Sequence, residues 1–321
     1  MSKRSPIQEC ILNIYKKFYA FCQENNLRFC GVAGTAIGAV RHKGFIPGDD
    51  DLDVGMPIED FVRFRKLCQK GSLPEGLEFI DSLWMGGKVY DKNTTIFDIR
   101  DMTNFDRYHG VYIDVFPMIG LPDNEDERER FVADLHVFTI SAELYEHYPY
   151  LSSLSGKQLK DWKNHMLTAY SFEKADKVAG FTYFICQGDG FRNPKIMDFE
   201  DAKMPISSSY DWDLTQQFGD YMTPPPKADQ RTHDKYHYAD LNKPFTDYIK
   251  EVQSLPKWFL ETLAKKQRVE GELTQYSNSL KYMLDEANRQ NEAKINEILN
   301  SRSYKISRAI TKPYRLLKRK K

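Results

Sequence analysis

The 321-residue sequence predicts an α+β protein with a helical C-terminal extension. Three observations carry that prediction. Apolar residues recur at helical spacing near the start (Ile7, Ile11, Ile14, Phe18, Cys22) and from Phe131 to roughly Phe184. Between these stretches lie segments of strict alternation, above all Val111, Ile113 and Val115 around Asp114. After Pro256 the pattern steps by three and four through Val269, Leu273, Tyr276, Leu280, Met283 and Ala287, as in a short coiled-coil seam. The expected division is a main α+β domain at 1–248, a helical segment at 249–300 and a basic amphipathic tail at 301–321.

Pro6 suits the first turn of a helix, which Glu24-Asn25-Asn26 ends. Leu27 to Ala33 reads as the first strand, turned by Gly34-Thr35 into a short helix from Ala36 to Arg41. Ile58 to Leu67 reads as an amphipathic helix, Leu77 to Ile80 and Lys88 to Tyr90 as short strands around Gly86-Gly87, and Thr94 to Asp101 as another strand. Pro122 to Arg130 is a charged turn opening the long helical stretch, within which Gly156 marks a turn. Phe181 to Cys186 suits a strand, followed by a loop at Gln187-Gly188-Asp189-Gly190. A helix from about Asp211 to Phe218 is capped by Gly219 and stopped by Pro224 to Pro226.

Residues 31–56, GVAGTAIGAVRHKGFIPGDDDLDVGM, hold the chemistry. Asp49, Asp50, Asp51 and Asp53 place four carboxylates within five positions, with Leu52 and Val54 interleaved. On a strand, Asp51 and Asp53 share a face. Two adjacent carboxylates repel unless a cation sits between them, and Mg²⁺ prefers carboxylate oxygens and substrate phosphates. A solvated acidic turn is the plain alternative. An EF-hand calcium loop fails, because position six would be Val54 and position twelve Asp60. Gly34-Thr35 before a helix offers backbone N–H groups to anions, and Arg41 or Lys43 would neutralise phosphate. His42 has no assigned role. Asp114 is costly inside an apolar strand unless it is paired or metal-bound.

Gly34-Thr35, a spacer and then Asp51-Leu52-Asp53 resemble the signature of the polymerase-β-like nucleotidyltransferase superfamily. The longer string GTAIGAVRHKGFIPGDDDLDVGM resembles the LicD family of phosphocholine transferases and fukutin-related proteins. Ile113 to Pro117 matches that family's second motif, and Phe199-Glu200, Pro205-Ile206 and SYDWDLTQQFGDYMTPPP are LicD-like, with Arg231 and His233 at the basic positions that follow. That family often has Trp just before the acids, where this chain has Gly48.

The resemblance implies a nucleotidyltransferase-like mixed sheet flanked by helices. It also implies metal ligation by Asp51, Asp53 and Asp114, with Asp49 a further ligand, and nucleotide binding at Gly34, Thr35, Arg41 and Lys43. The implied reaction transfers a phosphorylated alcohol, such as phosphocholine or ribitol phosphate, from a CDP-linked donor to a hydroxyl of a surface glycan. The cofactor would be Mg²⁺ or Mn²⁺, and CMP would leave. Asp114, set apart from the pair, is the candidate for activating the acceptor hydroxyl. Two other readings stay open: nucleotide transfer to RNA or protein, and a non-catalytic scaffold in polysaccharide assembly.

The bulk numbers narrow the partners. Lys and Arg balance Asp and Glu at 46 each, but residues 301–321 hold nine basic and no acidic residues, leaving the other 300 at 37 against 46. An acidic body argues against long nucleic acid as a partner. The tail interleaves Tyr304, Ile306, Ile310, Tyr314, Leu316 and Leu317 with that charge, which suits an anionic membrane surface. Five cysteines without CxxC spacing read as reduced thiols. With no signal peptide or membrane span recognised, the expected location is the cytoplasm, at the inner face of the plasma membrane, with a homodimer possible through the seam.

Overall fold

A computed structural model describes residues 4–83, 86–97, 109–147, 152–180, 184–226 and 238–253, with isolated helical positions between 262 and 277. The chain divides into two compact units, Met1–Gln267 and Arg268–Lys321. The basic tail, most of the coiled-coil seam, Arg231 and His233 lie outside the described residues.

The first unit is built on a mixed sheet, confirming the α+β class. Helix α1 (Pro6–Glu24) starts at Ser5, which forms a reciprocal capping box with Gln8. Its apolar stripe buries Ile11, Ile14, Phe18 and Cys22, four of the residues whose spacing predicts it, together with Tyr15. The chain continues through β1 (Cys30–Gly31), α2 (Ala33–Ile37), a π-helical turn at Gly38–His42, β2 (Asp53–Pro57) and α3 (Ile58–Gln69). Then follow β3 (Leu77–Ser82), β4 (Gly86–Asp91), β5 (Thr95–Phe97) and β6 (Tyr112–Gly120). Helices α4 (Glu125–His147) and α5 (Gly156–Thr168) lead to β7 (Lys177–Gly180), β8 (Phe184–Gln187) and α6 (Gly188–Arg192). The hairpin β9 (Lys195–Phe199) and β10 (Ala202–Ile206) precedes α7 (Tyr210–Phe218), β11 (Tyr238–Asp240) and α8 (Phe245–Gln253).

The main sheet runs β3-β4-β6-β2-β1-β10-β9, with β7 pairing the far end of β6 and then β8. The pairs β2–β6 and β1–β10 are parallel and the others antiparallel. A separate two-stranded sheet pairs β11 with β5. On one face, Val54, Val89, Ile113 and Val115 are fully buried. The core joins them to an edge-to-face aromatic cluster of Phe18, Phe29, Phe64 and Phe79.

Several expectations need correction. The first strand is only Cys30–Gly31, because Ala33 turns the chain with φ +48° and α2 starts there, ahead of Gly34-Thr35. Gly86 and Gly87 lie inside β4 rather than between strands. The helical stretch expected up to Phe184 gives way at Lys177–Gly180 to a strand that pairs with β6. Gly188 to Arg192 is a short helix rather than a loop, and the β9–β10 hairpin is an addition to the expected elements. Asp51 precedes β2 instead of lying in it.

Candidate active site

Register decides the site. Parallel pairing sets Asp53 opposite Asp114, and antiparallel pairing sets Lys88 opposite Asp114 from the other side. Strands in a sheet lie about 4.8 Å apart, so these three side chains form a row across one face of β2, β6 and β4. The Lys88 ammonium lies 2.8 Å from Asp114 Oδ1 and 3.4 Å from the centroid of the Tyr112 ring. Tyr112 shares that face, being two residues before Asp114. The pair is mostly shielded, with 22% of the lysine and 13% of the aspartate side chain exposed. The flanking Val54, Val89, Ile113 and Val115 point into the core, so the sheet is apolar on one face and charged on the other.

The Gly34-Thr35 segment is fastened to this row. Thr35 is buried, and its hydroxyl oxygen accepts the Asp53 N–H at 2.8 Å, while Val32 N–H donates to the Asp53 carbonyl at 3.1 Å. Asp49 lies against the same segment: a Cβ on Gly34 would sit 3.4 Å from Asp49 Oδ2. Its carbonyl accepts from Gln8 Nε2 at 2.7 Å, so the residue that caps α1 also holds the acidic run. Asp49 N–H donates to the Ile46 carbonyl at 3.0 Å, and Gly48 has φ +84°. Pro47 and Gly48 thus form a type II turn, whose third position needs positive φ. Glycine is the residue that adopts this conformation without strain. Asp51 is half-buried just before β2.

The basic cluster diverges. Arg41 donates to the Tyr221 carbonyl in the segment after α7 and, through Nε, to His42 Nε2 at 2.8 Å. Burial, with Arg41 alongside, holds His42 below the usual imidazole range, which suits its accepting role. Lys43 is exposed, with φ +57°. Asp60 is buried between Arg28 at 2.7 Å and Arg63 at 2.9 Å, a structural role that agrees with rejecting an EF-hand.

Among the described residues, no group of three or more His, Cys, Asp or Glu side chains is arranged to hold a metal ion. Asp49, Asp51 and Asp53 nevertheless offer the carboxylate oxygens that Mg²⁺ takes alongside water and substrate phosphates. The five cysteines are unpaired, and burial pushes the Cys10 and Cys68 thiols up to about 12, so neither is a nucleophile at neutral pH.

Residues 26–174 match the model of the family described as LicD/FKTN/FKRP, nucleotidyltransferase domain. Over those residues the chain is similar to LicD-family nucleotidyltransferase domains. The stretch contains Gly34-Thr35, the acidic run, Lys88 and Asp114. The chain is similar to the lipopolysaccharide cholinephosphotransferase LicD of Haemophilus influenzae, with 27% identity over 254 residues covering 69% of this chain and 92% of that protein. Two uncharacterized Rickettsia proteins match over 57 residues each: one from R. typhi at 39% identity, covering 18% of each chain, and one from R. prowazekii at 37%, covering 18% of this chain and 21% of its own.

Lys88 escapes sequence reasoning. Lys88 to Tyr90 reads as an ordinary short strand, and only the register with β6 brings its lysine to Asp114. Asp213 on α7 also goes unnoticed. It is buried behind the Gly31–Ala36 segment, with Oδ1 accepting Gln187 N–H at 2.8 Å and no hydrogen-bond partner for Oδ2 among the described residues. Burial raises its pKa. The folded-state value thus exceeds the unfolded one, and folding favours the protonated form. The stabilising contribution is present below the ordinary carboxylate range and is lost as pH rises through the raised value. Melting curves from about pH 4 to 8 should show Asp213→Asn gaining on wild type as pH increases. A pH-independent difference would contradict this.

Proposed function

We propose that the chain is a LicD-type phosphotransferase that moves a phosphorylated alcohol, phosphocholine foremost, from a CDP-linked donor to a hydroxyl of a surface glycan such as lipopolysaccharide, releasing CMP. The observation that carries this reading is the Asp53–Asp114–Lys88 row, set by strand register within the stretch that matches the LicD family model. The similarity to a lipopolysaccharide cholinephosphotransferase over 92% of that protein's length supports the choice of donor and acceptor.

In this reading Asp51 and Asp53 hold Mg²⁺ or Mn²⁺, with Asp49 as a further ligand. A divalent cation held there would supply positive charge for the donor phosphates and for the nucleotide phosphate that leaves. The Gly34-Thr35 segment, with Arg41 and Lys43, receives the donor's phosphates. Asp114 accepts the proton of the attacking hydroxyl. Lys88 aims Asp114 and offsets its repulsion with Asp53, the more effectively because the pair is shielded from water. The basic tail at 301–321 holds the enzyme at an anionic membrane face, and residues 1–248 form the catalytic domain. No helix among the described residues is long and apolar enough to cross a membrane.

The test is transfer of labelled phosphocholine from CDP-choline to lipopolysaccharide, with and without Mg²⁺. Metal-dependent incorporation supports the proposal, whereas incorporation of nucleotide label without choline label would overturn it. Lys88→Met should lower kcat by about 10²-fold, the cost of a misplaced reacting group, with donor KM nearly unchanged. Steady-state kinetics check this; a selective rise in KM would make Lys88 a donor-binding residue instead.

A further inference from the structure

The β9–β10 hairpin lies outside the stretch matched by the family model, yet its tip grips the loop that delivers the acidic run. Phe199 pairs with Ala202, leaving Glu200 and Asp201 as the connection. Glu200 adopts φ +55°, a left-handed conformation that costs free energy for any residue with a Cβ. Glycine would make this turn without strain, so the presence of glutamate calls for a use of its side chain.

That use is visible in three contacts. Glu200 N–H donates to the Lys43 carbonyl at 2.7 Å, Glu200 Oε1 accepts the Phe45 N–H at 3.1 Å, and Glu200 Oε2 accepts from Arg4 at 2.9 Å. The carboxylate is largely shielded, at 13% exposure. Its close approach depends on Gly44, where a Cβ would sit 2.1 Å from Glu200 Oε1. Phe45 adds an edge-on contact with Phe199, at 5.0 Å between centroids. The hairpin is in turn braced on α1, through Tyr15 to the Lys203 carbonyl at 2.6 Å and Lys16 to Asp201 at 2.7 Å. Residues 43–49 are thus gripped at one end by Glu200 and at the other by Gln8 on the Asp49 carbonyl, immediately before Asp51 and Asp53.

We infer that the hairpin tip is a clamp on this loop, and that Glu200 is a positioning residue for the carboxylates of Asp49, Asp51 and Asp53. The inference rests on the phosphotransfer reading for its consequence, though not for its geometry. It also gives the hairpin a part in the chemistry.

The test compares full-length Glu200→Gly and Glu200→Gln with wild type by melting, amide hydrogen exchange and transfer kinetics. Glycine relieves the left-handed strain while removing the carboxylate, so the melting temperature should stay within a few degrees. Exchange at residues 43–50 should quicken by roughly tenfold or more, with α1 and β6 unchanged. The kcat for transfer should fall by at least about tenfold. Glutamine keeps an oxygen for Phe45 N–H and should retain slow exchange and most of the activity. Unchanged exchange in the glycine variant would overturn the clamp. So would quickening spread evenly over α1 and β6 with a large fall in melting temperature, which marks a general fold contact. Faster local exchange with unaltered kcat would overturn the positioning role. If wild type itself transfers nothing from a CDP-linked donor, the functional reading fails while the exchange comparison still decides the clamp.

Discussion

Asp53→Asn is expected to reduce transfer by roughly 10²–10⁴-fold while leaving the fold intact, and Asp114→Asn should do the same. Asparagine is nearly isosteric, so the β2–β6 ladder and the Thr35 contact to Asp53 N–H survive the change. What is lost is charge. At Asp53 that removes a ligand for the cation, and at Asp114 it removes the proton acceptor and leaves the Lys88 ammonium facing an amide. The two variants should differ in one respect: Asp53→Asn weakens Mg²⁺-dependent donor binding, whereas Asp114→Asn largely preserves it. Transfer assays paired with donor titrations measure both. Retention of more than about a tenth of wild-type kcat in either variant would remove that residue from the chemistry.

The largest stability effect is expected at Phe64. It is fully buried on α3 and meets Phe18, Phe21 and Phe79 at ring-centroid distances of 5.7, 6.2 and 5.0 Å. Phe64→Ala removes a ring that joins α1 and α3 to β3, and aromatic-to-alanine changes in cores cost about 3–5 kcal/mol. Against a typical total of about 5–15 kcal/mol, that is a large share. It corresponds to a fall of roughly 10 °C in melting temperature for a domain of this size. Differential scanning calorimetry measures it, and a fall below about 2 °C would show that the cluster collapses readily around the gap.

Most of what positions the site is legible in the sequence. The stripe from Ile7 to Cys22 and Pro6 in the first turn place α1. Alternation around Asp114 places β6, because a strand with one face in the core declares its period. Less legible are elements whose residues meet no core. The β9 strand KIMDF is mostly exposed at the edge of the sheet, so its hydrophobicity carries no clear period. At four residues, β7 is too short to stand out from the helical stretch before it. Lys88 and Glu200 mark a different limit: each acts through a partner distant in sequence, and spacing along one chain contains no information about register between strands.

The central claim is that the carboxylate row binds a CDP-linked alcohol together with a divalent cation. The most direct measurement is calorimetric titration of wild type and Asp53→Asn with CDP-choline, CDP-ribitol, CDP-glycerol, CTP and ATP, each with and without Mg²⁺. The expected result is Mg²⁺-dependent binding of one CDP-linked alcohol, lost in the variant. Binding of CTP or ATP with no response to any CDP-linked alcohol would contradict the account and assign the row to nucleotide transfer.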